Sequence, residues 1–525
     1  MKRSIYFLIT LLTLVFWSSC RKDFDFDLSS GKLEFSKDTV YLDTVFSNIG
    51  SSTYNLKVFN NSDTDIVIPS VRLNQGQNSL YRLNVDGQTG SGVISGKEFE
   101  NVEILAKDSM YIFIETTIDI EALVSNDTQF LYTDAIEFDA GSNLQSVELV
   151  TLVKDAVFIY PQRFLNAEGE YITETLTFDV NGDGIDDETS IEGRFLDDTE
   201  LTFTNEKPYV IYGYAAVDEA KTLNIEAGSR IHFHANSGLL ITSGGSLNAQ
   251  GVVSSDPELM EGEIIFEGDR MEPGFAEVPG QWQTIWLFNG STNNTFNHVT
   301  IKNSTVGLLS EGNQDDISKL NITNTQIYNS SNFGILGRAT SINAENLVIN
   351  NSGQSSFAGT FGGRYNVVHS TLANYWSNSF RQFPALLLNN YLVDSDNVTF
   401  TNPLEAANFT NTIIYGNDNP EMLLDKDFDD TFNFKFTNCL IRFNDSNNNF
   451  TGDQYDFDNV ALYDNILFNE DPEFFDPFLN MLQIPNASPA DGFGIISGNL
   501  FSDIIGSMRT TPRDLGAYES IEFED

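Results

Sequence analysis

The chain has 525 residues, enough for two or more domains that each bury a core. It carries 75 Asp and Glu against 28 Lys and Arg, a formal net charge of −47. That balance argues against nucleic acid, anionic lipid surfaces and polyanionic glycans as partners, and it suits a soluble surface in a cation-rich exterior.

Met1-Lys2-Arg3 is a short basic region, Ile5 to Trp17 an apolar run of 13 residues, and Ser18-Ser19-Cys20 a small-residue site ending in cysteine. Thirteen residues are too few to span a bilayer as a helix. The order of the parts is that of a secretory signal. The segment resembles a bacterial lipoprotein signal, with Trp17 where Leu is usual. The resemblance implies that residues 1–19 are removed and that Cys20 is acylated and held by outer-membrane lipid. Arg21-Lys22-Asp23-Phe24-Asp25-Phe26-Asp27 follows and resembles the Lys-then-acidic export signals of Bacteroidota surface lipoproteins. It implies display on the outer face of the outer membrane; the plainer reading of residues 20–27 is a solvated linker. Cys439, the other cysteine, then has no intramolecular partner. It sits inside a repeat and reads as a buried, inert thiol.

Residues 28–155 hold short apolar runs, among them Thr39-Val40-Tyr41-Leu42, Leu56-Lys57-Val58-Phe59 and Ser109-Met110-Tyr111-Ile112-Phe113-Ile114, between Asn, Asp, Gly and Ser turns. Strands with turn signals at this interval predict a β-sandwich. The segment resembles Ig-like modules that follow the anchor in secreted bacterial proteins, which implies a stalk. Asp38-Thr39-Val40, Asp43-Thr44-Val45 and Asp108-Ser109-Met110 resemble the O-glycosylation triplet of Bacteroidota proteins, implying sugar on Thr39, Thr44 and Ser109. Strands that begin with Asp-Thr produce the same triplets without modification.

Residues 156–200 form a junction. In it, Asp179, Asn181 and Asp183 alternate as oxygen donors, Gly184 permits a sharp turn, and Asp187 stands at the ninth position. A hard cation needs several oxygens from one tight loop, so this reads as a structural Ca²⁺ loop outside the EF-hand pattern, since Ser190 replaces the closing Glu. The alternative is an Asp- and Gly-rich surface turn.

Residues 201–485 carry a repeat. From Leu223, apolar residues alternate with polar ones between Gly turns, and His232 and His234 are expected to face outward together as a solvated pair. Further on, the phrase [Asn/His]-x-x-apolar occurs eight times, beginning at His298, Asn324, Asn346, His369, Asn397, Asn411, Asn438 and Asn465. The starts are 26, 22, 23, 28, 14, 27 and 27 residues apart, the period of a solenoid built of β-coils. Stacked coils place these residues at one corner, where amides hydrogen-bond along the stack. The step of 14 is too short for a coil, so either Asn397 or Asn411 is off the ladder. We place His298, Asn324, Asn346, His369, Asn397 and Asn438 on it.

These repeats resemble the right-handed parallel β-helix proteins of the pectin-lyase-like superfamily over roughly residues 200 to 520. The expected fold is all-β: an Ig-like β-sandwich followed by a right-handed parallel β-helix solenoid. Pro512-Arg513-Asp514-Leu515-Gly516-Ala517-Tyr518-Glu519 resembles the closing phrase of bacterial surface β-helix proteins, and residues 486–525 read as a cap over the open last coil. Enzymes on such a fold set carboxylates on the outer face. The nearest candidates are Asp315 and Asp316 in an inter-coil loop, with Lys302, Arg338, Arg364 and His369, the last read as a structural ladder residue; an acidic pair in so acidic a chain is not diagnostic. A binding surface has its candidate in Tyr375 and Trp376, with Phe380 and Phe383, which could stack on sugar rings. The reading adopted is a non-catalytic surface lipoprotein for adhesion or glycan binding, with polysaccharide or a surface protein as partner. The alternative is a polysaccharide lyase or glycoside hydrolase.

Overall fold

The computed structural model describes residues 25–91, 93–120, 129–167, 169–428, 430–497 and 500–523. Strand exceeds helix by 49% to 4%, so the protein is all-β. The chain divides into two compact units between Asp155 and Ala156. The expected signal segment and Cys20 lie outside the described residues.

The first unit is built from two sheets. One holds Glu34–Phe35, Tyr54–Phe59, Ser109–Thr116 and Tyr81–Val85, all antiparallel. The other is centred on the hairpin of Gln129–Phe138 and Gln145–Lys154, with Thr39–Phe46 added in parallel and Ile66–Leu73 antiparallel. Strand alternation decides what goes inward: Met110, Ile112 and Ile114 are buried, while Tyr111 and Phe113 between them face out. The inward rows of both sheets share one core, where Val40, Leu56, Ile68, Ile112, Ile136 and Leu149 are fully buried. Each such side chain contributes about 1.5–3 kcal/mol before the entropy of ordering the chain is subtracted. The buried Tyr81 keeps its hydroxyl satisfied on Thr151 Oγ1 at 3.0 Å and on the Tyr132 carbonyl at 3.1 Å.

In the second unit, apart from three short antiparallel pairings, strands pair in parallel with the strand one circuit later. Tyr209–Ile211, Arg230–Phe233 and Ile264–Gly268 begin a first ladder. Tyr214–Val217, Gly238–Ile241 and Ile285–Leu287 begin a second, and Thr222–Glu226 with Ser246–Gln250 a third. From Asn294 onward single long strands such as Asn294–Lys302 and Leu320–Ser330 serve the third ladder with their first half and the first ladder with their second. The ladders start with Val157–Ile159 on Tyr209–Ile211, earlier than the expected residue 201. Their inward side chains form one continuous core from Ile159 to Tyr463.

The repeated Asn or His stands where each long strand bends. His298, Asn324, Asn346, His369, Asn411, Asn438 and Asn465 all have φ between 45° and 58°. A side chain in the left-handed region costs roughly 1–2 kcal/mol, least for Asn, so the repeat is first a backbone requirement. Register stacks these seven in one column. Amide bonding runs through part of it: Asn324 Nδ2 donates to Asn297 Oδ1 at 2.9 Å, Asn346 Nδ2 to Asn324 Oδ1 at 2.8 Å, and Asn411 Nδ2 meets His369 Nε2 at 2.9 Å. Asn397 is not in the column. It turns the hairpin of Tyr391–Val393 and Thr399–Thr401, with its N–H on the Asp394 carbonyl at 3.1 Å. Asn411 takes the corner instead, 42 residues after His369, and the enlarged circuit carries that hairpin as an insertion.

The C-terminal segment does not cap the last coil. It runs along the outer side of the first ladder, where Phe474, Leu482, Ile484, Leu515 and Ala517 join Val348, Ala373, Ile413 and Leu440 in one buried cluster. The corner amides tie it down: Asn346, Asn411 and Asn438 donate to the carbonyls of Ser502, Ile495 and Phe493 at 3.1, 2.7 and 2.8 Å. The end of the core is covered instead by the loop between Ile441 and Tyr463, whose Phe450, Tyr455 and Phe457 pack on Phe443. The Tyr455 hydroxyl also meets the N–H and C=O of Leu424 on the final strand of the second ladder, at 2.8 and 3.0 Å.

Candidate functional site

The residues singled out from the sequence do not assemble into one site. Asp315 is exposed, 3.7 Å from Arg364 Nη2. Asp316 is tied into its own loop by the Thr292 hydroxyl at 2.5 Å and the Ser318 N–H at 2.9 Å, and these bonds, the hydroxyl first, hold its carboxyl below the usual range. A carboxylate held ionised in this way is no general acid. Trp376 is buried, its indole N–H on Ser379 Oγ at 3.0 Å, and Tyr375 lies under Phe474 and Phe478 of the C-terminal segment. Phe383 joins a buried cluster with Leu336 and Leu387, which leaves Phe380 alone in solvent. The expected aromatic platform therefore does not form there.

His232 is buried against the Gly268 carbonyl, and His234 alone is exposed, its Nδ1 2.7 Å from Asp269 Oδ2. The outward pair is thus not a solvated pair, because Glu267 and Gly268 of the next rung cover the first ring. Thr39, Thr44 and Ser109 are half-buried on strands. Cys439 is fully buried and its thiol is pushed up to about 12 by that burial.

In the 179–187 loop, Asp179 accepts the N–H groups of Gly182, Asp183 and Gly184, Asn181 that of Asp183, Asp183 that of Ile185, and Asp187 that of Val180. The backbone donors, Gly184 first, keep the Asp179 carboxyl below its usual range. These side chains close the loop on itself and do not converge as a ligand set. Among the described residues no group of three or more His, Cys, Asp or Glu comes together to hold a metal. No described helix is long and apolar enough to cross a membrane.

The third ladder carries a feature the repeat search passed over. Its outer row reads Asn224, Asn248, Thr295, Asn321, Asn343, Asn366, Asn408 and Lys435, one residue per rung. At the usual 4.7–4.9 Å per strand the row is about 34 Å long. It holds no carboxylate, in a chain with 75. The amides are pre-set by one another: Asn248 Nδ2 donates to Asn224 Oδ1 at 3.0 Å and Thr295 Oγ1 to Asn248 Oδ1 at 2.8 Å. Beside it runs a second row of Glu226, Gln250, Asn297, Thr323 and Glu345, where the Thr323 hydroxyl donates to Asn297 Oδ1 at 2.9 Å and Glu345 reaches the adjoining groove. The C-terminal segment walls these rows with Leu500 and Phe501, enclosing a groove of about 470 Å³ with Phe501 64% exposed. The sequence signal was an Asn or Thr three places before the corner residue, as in Thr295, Asn321, Asn343, Asn366 and Asn408.

A charged cluster occupies the outer side of the first ladder. Lys302 Nζ lies 2.8 Å from Glu267 Oε2, and His232 Nδ1 lies 3.6 Å from Glu267 Oε1. Glu263 accepts the Thr300 hydroxyl at 2.6 Å. Burial pushes the Glu263 carboxyl up. Burial acts the same way on Glu267, but His232, Lys302 and Arg230 outweigh it and hold that carboxyl below its ordinary value.

No known family profile matches the sequence, and no curated protein matches it. Among solved structures, the catalytic domain of a GH87 alpha-1,3-glucanase in complex with nigerose is 11% identical over 75% of this chain and 81% of its own, with a TM-score of 0.16. A PapD-like domain of human CEP192 is 14% identical over 24% of this chain and 86% of its own, at 0.15. The E. coli chaperone DraB is 12% identical over 28% and 83%, at 0.16. Likenesses at this level carry no argument about activity.

Proposed function

We propose that the second unit is a right-handed parallel β-helix of the pectin-lyase-like kind that binds an uncharged polysaccharide along its amide rows without cleaving it. In this reading an Ig-like sandwich holds it away from the outer membrane, and a lipid on Cys20 anchors it facing the exterior. The observation that carries the proposal is the 34 Å row free of carboxylates, about 4.8 Å per rung, on an otherwise acidic protein. Sugar hydroxyls both donate and accept, and so do Asn, Gln and Thr side chains. Phe501 offers a ring to the apolar face of a sugar beside that floor. Calorimetric titration with uncharged hexasaccharides tests it. Binding that weakens at least tenfold in Phe501→Ala, with no new reducing ends, is the expected result.

One observation favours a hydrolytic reading. Glu263 and Glu267 share the outer side of one strand, and their surroundings push the two carboxyls in opposite directions. One carboxyl raised beside another lowered is the kind of pairing glycoside hydrolysis uses. Reducing ends released by the protein, and lost in both Glu263→Gln and Glu267→Gln, would establish that reading over the first.

A further inference from the structure

The outer face of the four-stranded sheet in the first unit breaks its own pattern. On Ser109–Thr116 the inward positions are already filled by Met110, Ile112 and Ile114, yet Tyr111 and Phe113 outside are 46% and 43% exposed. The two rings stand at positions i and i+2 of one strand, with centroids 6.2 Å apart and planes within 15°. Their planes are near-parallel, and both rings are partly open to solvent. Around it the register sets polar groups. Asn55 and Asn84 flank Phe113 from the two neighbouring strands, and Lys57 flanks Tyr111 with its ammonium 5.3 Å from the ring centroid.

We infer that this face is a carbohydrate-binding platform, with Tyr111 and Phe113 stacking on the C–H faces of an uncharged glycan and Asn55, Asn84 and Lys57 meeting its hydroxyls. Charge selects the occupant. Arg82 at one edge is engaged by Glu115 at 3.1 Å and by Thr117 at 3.0 Å, and the Lys57 ammonium is held between the Tyr111 and Phe59 rings, so neither cation stands apart to draw an anionic ligand. The net charge of −47 repels a polyanion at long range. A protein partner would need roughly 800 Å² of its own surface buried, with an apolar centre larger than two rings in a polar border. A sugar chain is itself flat and apolar on its faces and polar at its rim, which matches this surface. The inference stands independently of the amide rows of the second unit.

The test titrates the full chain from residue 21 with cello-, xylo-, manno-, laminari- and maltohexaose by calorimetry, beside the double variant Tyr111→Leu/Phe113→Leu and the single variant Tyr111→Phe. Leucine keeps apolar area but removes the flat ring; phenylalanine keeps the ring. At least one hexasaccharide is expected to show a binding site that weakens at least tenfold in the leucine variant, stays within twofold for Tyr111→Phe and survives Phe501→Ala, with an unchanged melting temperature for both strand variants. Equal affinity in the leucine variant would overturn the inference. So would the absence of binding to all five sugars, or tighter binding of polygalacturonate at this face. Loss of affinity in Phe501→Ala but not in the leucine variant would likewise overturn it, while leaving the amide-row reading intact.

Discussion

Two columns of asparagine run along the second unit, and they are there for different reasons. In the corner column, Asn324, Asn346, Asn411 and Asn438 hold left-handed backbone, and the last three also bind the C-terminal segment. In the flat row, Asn224, Asn248, Asn321, Asn343, Asn366 and Asn408 lie on extended strand and present their amides outward. The corner residues are therefore expected to matter for stability, and the row for recognition. A residue type alone does not assign a role; its backbone angle and its exposure do.

The largest effect expected on the structural side is at Arg509, whose buried side chain joins Glu519 at 3.1 Å and Asn346 Oδ1 at 2.8 Å. Removing one partner of a buried ion pair costs about 3–5 kcal/mol, so Arg509→Ala should lower stability to urea by that amount and free the segment bearing Phe501. Asn346→Ala comes next, at about 2–3 kcal/mol from a left-handed alanine and unpaired buried neighbours. Asn346→Gly should lose visibly less, because glycine restores the backbone freedom and forfeits only the amide bonds.

His369 separates the corner from the row by pH. Burial, with Arg509 and Arg513 nearby, lowers its ring to about 3. The folded protein holds it neutral while the unfolded chain protonates it near 6.5, so its stabilisation is complete above pH 6.5 and is lost as pH falls toward 3. The slope contributed is about 1.4 kcal/mol per pH unit. His369→Asn, which copies the other corners, should flatten acid denaturation between pH 6 and 4, roughly the window those two pKa values bracket.

Substitutions in the row should be near-silent in stability. Asn321→Ala and Asn343→Ala are expected within about 0.5 kcal/mol of the parent while weakening glycan binding at least tenfold. The smallest effect expected is that of calcium: a loop whose carboxylates already take backbone N–H groups should melt at the same temperature with calcium or chelator.

The corner column was legible because a left-handed backbone leaves few residue choices, so the motif recurs in plain sight. Its one ambiguity, Asn397 against Asn411, was decided by an insertion whose hairpin has no marker in the period. The Tyr375 and Trp376 patch failed because an aromatic pair in a loop looks the same whether or not a segment 100 residues later covers it, as Phe474 and Phe478 do. The C-terminal segment itself was recognisable as a covering element, but not which side it covers, since its anchors Asn346 and Asn438 were already assigned to the ladder. The flat row escaped notice because outward Asn and Thr on a strand are ordinary singly, and only stacking makes them a surface.

The most direct test of glycan binding along the amide rows is one titration series. Uncharged hexasaccharides are added to the chain from residue 21 and to the Asn321→Ala/Asn343→Ala/Asn366→Ala variant, with heat of binding and reducing ends followed together. The account predicts binding by the parent, at least a tenfold loss in the variant at unchanged melting temperature, and no product from either. Binding of equal strength in the variant, or no binding by the parent, would contradict it.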